Sequence, residues 1–211
     1  MIDLVFLGGG GHAKSVLDSL YRMNAQNMKY NNIVVTDPDL KEGTYILDSL
    51  IYGDDSKLSK IYEEGCRNAF ISVGSIKSTA LRRKLSLLAE RYNFNLVNII
   101  DPSADVSDYS NISKGVFIGK QAVVNADAVV NKNAIINTGV VIEHECHIGE
   151  YSHIACGSIL CGNVFVGDDS FIGAGTVVIE GVRIGNNAVI GAGSVVLRDV
   201  MDNEKLVGVI K

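Results

Sequence analysis

Residues 142–173 read IEHECHIGEYSHIACGSILCGNVFVGDDSFIG, and an aliphatic side chain stands at every sixth place: Ile142, Ile148, Ile154, Leu160, Val166 and Ile172. The same phase runs without a break from Val106 to Val196. Four places after each aliphatic residue comes a small or β-branched one, as in Ala122, Ala128, Cys146, Ser152 and Thr176. A period of six fits neither the helical repeat of 3.6 nor the strand repeat of two. It marks a β-helix coiled from hexapeptides. Three hexapeptides make one triangular coil, and stacked coils lie about 4.8 Å apart, the strand spacing of a sheet. The aliphatic residue points into the prism, and the small one packs near a corner. Gly119, Gly149, Gly167, Gly173, Gly185 and Gly191 directly follow aliphatic positions, where turn dihedrals are expected to require glycine. The unbroken phase predicts no long loop between residues 106 and 200.

The first hundred residues follow another rhythm. Buried strands are expected at 2–7 (IDLVFL), 33–36 (IVVT), 69–73 (AFISV) and 95–100 (NLVNII). Helices are expected from about Ala13 to Met23 and from Gly74-Ser75 to Tyr92. Alternating strands and helices imply a parallel sheet with right-handed crossovers. Asp101-Pro102 breaks this pattern. The expected architecture is α/β plus all-β: a small Rossmann-like parallel-sheet domain over residues 1–101, then a left-handed parallel β-helix over 102–211.

Between the first strand and the first helix lies Gly8-Gly9-Gly10-Gly11-His12-Ala13, a G-x-G-x-x-A pattern. Glycines allow a ligand close to the backbone, and a helix N-terminus attracts phosphate. Asp37 ends the second strand, where a ribose-binding acid would sit. Three readings stand: nicotinamide binding, a turn needed only for packing, and a single nucleotide or nucleotide-sugar site. The short domain, half a dinucleotide fold, favours the last.

The formal net charge is −5, so the bulk field does not favour nucleic acid or an anionic membrane. No 18-residue apolar stretch predicts a transmembrane helix, and the N-terminal run lacks the basic region of a signal peptide. The four cysteines, Cys66, Cys146, Cys156 and Cys161, have no metal-type spacing. They read as reduced packing residues of a cytoplasmic protein.

All four histidines are His12, His144, His147 and His153. The last three occupy outward slots of the repeat. A neutral imidazole suits proton abstraction near neutral pH, and Glu143 and Glu145 flank His144 to orient it. His144 is therefore the candidate base. His153 reads as an oxyanion or cofactor contact, or else as structural, and His147 as solvent-exposed. A histidine triad holding zinc is the rival chemistry, but His147 and His153 share one register position on adjacent walls and diverge.

GGGGHAKSV, the acid after the second strand, and IEHECHIGEYSHIACGSILCGNVFVG together resemble the hexapeptide-repeat sugar acetyltransferases of the bacillosamine and sialic-acid pathways. The resemblance covers almost the whole chain and is nearest to the UDP-4-amino-sugar N-acetyltransferases. It implies a homotrimer with active sites between protomers. It implies acetyl-CoA in a groove between neighbouring coils and a nucleotide sugar in the amino-terminal domain, with no metal. His144 matches the base and Glu145 the residue raising its basicity. His153 and Ala174 match acetyl-CoA contacts, and Ala192 lines the same groove. Gly10, Gly11, His12, Thr36, Asp37 and Gly74 match sugar-nucleotide positions. Ser75 replaces a frequent Asn, and the C-terminus lacks a G-x-P-A-K pattern. The expected reaction is N-acetylation of a UDP-4-amino-4,6-dideoxy sugar in bacterial glycan biosynthesis. Sialic acid O-acetylation and a carbonic anhydrase-like metal site are the alternatives.

Overall fold

The computed structural model describes residues 2–27, 29–76 and 78–211. The chain divides into two compact units, Met1–Ile99 and Ile100–Lys211.

The first unit is built on β1 (Leu4–Leu7), α1 (Gly11–Asn27), β2 (Ile33–Thr36), β3 (Tyr45–Ile46), β4 (Ser49–Gly53), α2 (Leu58–Glu63), β5 (Asn68–Ile71), α3 (Ala80–Arg91) and β6 (Asn95–Leu96). Sheet order is β3-β4-β2-β1-β5-β6. The central strands LVFL and IVVT are buried at every residue, as expected of strands covered on both faces.

Four expectations need correction. The sheet is mixed, because β3 runs antiparallel to β4. Their hairpin turns through Leu47 at φ 50, a leucine where the usual signal is Asn or Gly, so the sequence hid it. Helix α1 spans Gly11–Asn27 rather than 13–23, while α3 opens only at Ala80 rather than at Gly74-Ser75. The segment 95–100 is two short strands, Asn95–Leu96 pairing with β5 and Ile99–Ile100 belonging to a sheet of the coil.

The second unit is a prism of three parallel sheets of seven, seven and five strands. Each two-residue strand pairs with the one a full coil later: Phe117–Ile118 with Ile135–Ile136, Val123–Val124 with Val141–Ile142, and Val129–Val130 with His147–Ile148. The walls carrying these three registers are called here the first, second and third walls. The inward aliphatic residues, Ile118 to Val196, form one buried cluster. Small-slot serines are buried too, and their hydroxyls are satisfied: Ser152 Oγ donates to Gly167 O at 2.6 Å and Ser158 Oγ to Gly173 O at 2.9 Å.

The glycine after each aliphatic residue serves a different need from the expected one. A Cβ on Gly173 would lie 2.5 Å from the Ala192 amide nitrogen, so the next coil leaves no room for a side chain. The left-handed turn residue comes two places later, as at Gly175 (φ 67) and Glu145 (φ 60). After Val196 the spacing shortens. Lys205–Leu206 and Val209–Ile210 still pair onto Val189–Ile190 and Val195–Val196, so the tail adds the last walls without the missing proline pattern.

Ile154 is fully buried in the prism. Ile154→Asp is expected to abolish folding, because an unpaired carboxylate there costs several kcal/mol at least. Ile154→Val should cost only about 1 kcal/mol. Circular dichroism and denaturant titration of the two variants check this.

Candidate active site

His144 and Glu145 occupy the tip of the corner between the second and third walls. Glu145 sits at φ 60, a conformation that costs a non-glycine residue of order 1–3 kcal/mol. The same turn position is left-handed along the coil, at glycines such as Gly139 and Gly157 and at Asp127, Tyr151 and Asn163. The strained turn aims the carboxylate back at the preceding ring: Glu145 Oε2 lies 3.0 Å from His144 Nδ1. The carboxylate can only accept, so the neutral imidazole carries its proton on Nδ1 and leaves Nε2 as the basic atom. Both side chains are about 60% exposed (61% and 63%). At that exposure the pair orients the ring more than it stabilises the fold.

Gly162 stacks one coil beyond His144. A Cβ built on it would come within 2.6 Å of His144 Cε1 and Nε2. Any larger residue there would displace the imidazole. Sequence reasoning missed this residue. The coil repeat carries the signal, since three sixes added to 144 give 162.

Cys146, next to this pair in sequence, is fully buried in the prism. Burial pushes its thiol up to about 11, which removes it as a nucleophile. Burial also raises the Cys66 thiol. Cys156, by contrast, is exposed and is no packing residue, contrary to expectation.

Two histidine placements differ from the surface positions expected. His153 is only 6% exposed. Its ring meets Phe171 edge-on at 5.2 Å, and its Nε2 is 3.3 Å from Asn137 Nδ2. His147 is half-buried rather than solvent-exposed, stacked on Phe165 at 4.9 Å with Nε2 3.0 Å from Asn131 Nδ2. Neither asparagine was singled out from sequence. Ala174 and Ala192 are exposed and stack on the corner between the first and second walls. One protomer therefore keeps His144 and the two alanines on opposite edges of the second wall. Among the described residues no group of three or more His, Cys, Asp or Glu is placed to hold a metal.

In the first unit the glycine-rich loop leaves the C-terminal end of β1. Gly8 has φ 106, and a Cβ there would collide with Val73. Gly9 is hemmed in by Leu40 and donates its N–H to Asp37 Oδ2 at 2.7 Å. Gly8 is explained by packing, and Gly9 only in part, since Leu40 Cδ1 is the end of a flexible side chain. Gly10 and Gly11 are not, since nothing lies within 4 Å of a Cβ built on either. Both are exposed at the N-terminus of the 17-residue α1, whose first turn carries no acid, and such an end favours an anion. Gly74 faces His12, whose Cβ is 3.4 Å from a Cβ built on the glycine. Asp37 shapes the loop through both oxygens, accepting from Gly9 N and from Asp39 N at 2.9 Å. Thr36 is buried, and its hydroxyl donates to Asp55 at 2.8 Å.

The chain matches two family models, the PglD N-terminal domain over residues 3–86 and the bacterial transferase hexapeptide repeat over residues 163–198. It is also similar, at 38% identity and a TM-score of 0.88, to a perosamine N-acetyltransferase from Caulobacter crescentus solved with CoA and GDP-perosamine; the match covers 98% of this chain and 93% of that one. The chain belongs to the hexapeptide-repeat sugar N-acetyltransferases. A second member, the acetyltransferase domain of PglB from Neisseria gonorrhoeae solved with acetyl coenzyme A, is 29% identical with a TM-score of 0.89, over 98% of this chain and 96% of that one. WeeI from Acinetobacter baumannii, 20% identical over 99% of this chain and 97% of that one at a TM-score of 0.87, shares the fold. For this acetyltransferase no helix among the described residues is long and apolar enough to cross a membrane.

Gly162→Ala should displace the His144 ring and, with His144 as the candidate base, lower kcat roughly a hundredfold, the scale of a 1 Å misplacement. Thermal unfolding should stay close to the parent, since Gly162 has no positive φ to lose. In a thiol-reagent assay at about pH 8, where reactivity follows the thiolate, Cys156 should react fastest. Cys66 and Cys146 should react only on unfolding, because a raised pKa keeps the thiol protonated at that pH.

Proposed function

We propose that this protein transfers the acetyl group of acetyl-CoA to the 4-amino group of a UDP-linked 4-amino-4,6-dideoxy-N-acetyl sugar, in bacterial glycan biosynthesis. The observation that carries the reading is the His144–Glu145 pair, held at 3.0 Å over Gly162. The free amine attacks the thioester carbonyl while His144 Nε2 takes the proton it sheds. A C–N bond forms, the C–S bond breaks, and the proton passes to the departing thiolate. No acyl-enzyme is needed, in keeping with the burial of Cys146. Gly10, Gly11 and His12 receive the sugar nucleotide beside Gly74 and Asp37, with the diphosphate at the start of α1. Thr36, buried, holds the loop through its carbonyl, which accepts the Gly8 N–H at 2.8 Å.

The enzyme works as a homotrimer. Outward residues of the second wall form an apolar column, Val123, Val141, Ile159, Val177, Val195 and Val209, with Ile159 40% and Val209 60% exposed. Three copies meeting on this wall would set His144 of one beside Ala174 and Ala192 of the next. The acetyl-CoA groove, with His153 at its wall, then completes only in the assembly. Consumption of acetyl-CoA and a nucleotide sugar places the reaction in the cytoplasm.

A GDP-linked 4-amino sugar is the second reading, favoured by the 38% identity to the enzyme solved with GDP-perosamine. Thiol release from acetyl-CoA against UDP- and GDP-linked 4-amino sugars, free sialic acid and CMP-sialic acid separates the cases. Turnover with the UDP sugar supports the leading reading, and turnover with the GDP sugar alone moves the carrier. Release only with a sialic acid moves the reaction to a hydroxyl.

His144→Ala is expected to fold and assemble but to lose roughly a hundredfold or more in kcat, the scale of a missing general base. Near-parental turnover would remove His144 from that role. Ile159→Asp should give folded monomers by sedimentation, with activity lost alongside assembly. An intact trimer would place the interface elsewhere.

A further inference from the structure

Among the described residues of the first unit, Arg82 is the only charged side chain that is buried, at 1% exposure. A buried guanidinium is costly unless its donors meet acceptors, and nothing in the transfer chemistry calls for it. Its Nη1 donates to Ile71 O at 3.1 Å and to Val73 O. Ile71 is the last residue of β5, and Val73 lies just beyond it. Arg82 itself belongs to the first turn of α3. It therefore ties that helix to the segment leaving the C-terminal end of β5.

That segment touches the glycine-rich loop through three successive residues. Ser72, fully buried, donates its hydroxyl to Leu7 O at 3.0 Å and to Gly8 O at 2.6 Å. Val73 Cγ2 crowds the place a Cβ on Gly8 would take, and Gly74 stands against His12 Cβ. Gly10 and Gly11, with open space beside them, lie between those contacts in the chain. The carboxyl ends of parallel strands are where ligands of such sheets bind.

We propose that Arg82 is a positioning residue for the sugar nucleotide. By gripping the carbonyls of Ile71 and Val73 it fixes the Ser72, Val73 and Gly74 contacts that give the glycine-rich loop its binding shape. The proposal rests on the reading of Gly10, Gly11 and His12 as the sugar-nucleotide site. Arg82 acts through the loop and not on the reacting atoms, so its loss weakens substrate binding and spares the transfer step. Such a loss raises KM with kcat unchanged.

The other end of β5 holds an internal control. Arg67 Nη1 donates to Tyr62 O at 2.6 Å and to Cys66 O at 2.9 Å, the same chemistry just before the strand begins.

The test follows thiol release from acetyl-CoA by the assembled protein, with acetyl-CoA and the UDP- or GDP-linked 4-amino sugar varied in turn. In Arg82→Met the KM for the nucleotide sugar should rise roughly tenfold, the scale of one charge-assisted hydrogen bond. The rise should be smaller in Arg82→Lys, whose ammonium can still donate to both carbonyls. kcat and the KM for acetyl-CoA should stay parental. Ser72→Ala should raise the same KM. Arg67→Met should leave it alone, as should Ile61→Val, a buried change on α2 that only lowers the unfolding temperature. A parental nucleotide-sugar KM in Arg82→Met overturns the proposal. So does an equal rise in the acetyl-CoA KM, or an equal effect of Ile61→Val. If Arg82→Met does not fold, a parental KM in Ser72→Ala overturns it. A parent that turns over neither sugar would sink the acceptor reading instead. Calorimetric binding of UDP and GDP to the parent and the same variants would then decide the role of Arg82.

Discussion

The stacking of coils at strand spacing is the constraint on which the rest of the structure depends. Every backbone amide of a wall bonds to the coil next to it, so no coil can shift without breaking a ladder. The inward aliphatic column is buried at each level, and a slip of one residue would turn it outward. A side chain on the surface therefore meets neighbours set by addition alone. His144 meets Gly162, Gly173 meets Ala192, and an asparagine meets the histidine of the next coil.

That rigidity fixes the geometry of the candidate base. An exposed imidazole on a flexible loop would sample many orientations. Here its ring lies over a glycine of the next coil, and its Nδ1 faces a carboxylate held by a strained turn. The left-handed φ of Glu145 is tolerated because the coil over-determines it, as it does at Asp127, Tyr151 and Asn163. The same scaffold buries Cys146 one residue later. Two neighbours of different chemistry are thus divided between surface and core by their place in the repeat. In the first unit the division falls among glycines: Gly8 is demanded by its left-handed φ and by Val73, whereas Gly10 and Gly11 face open space.

Legibility followed the length of range at which each feature is encoded. The repeat, the inward residues and the outward slot of His144 could be read directly, because the period of six is local and unbroken. The glycine-rich turn opening a helix was equally plain. The hairpin at Leu47 was not, since no residue in it advertises a positive φ. The late start of α3 and the splitting of 95–100 were also missed. There the hydrophobic pattern is satisfied by either assignment, and pairing partners decide.

The sequence by itself determined the coil, its phase, and the identity of the histidine whose slot points outward next to acids. Those follow from side-chain periodicity, a property of neighbours along the chain. Tertiary structure alone decided which glycines are crowded by the next coil and that His153 is buried. It also decided which asparagine amide meets each histidine nitrogen. Those depend on atoms sixteen to nineteen residues apart, brought together only when the walls stack.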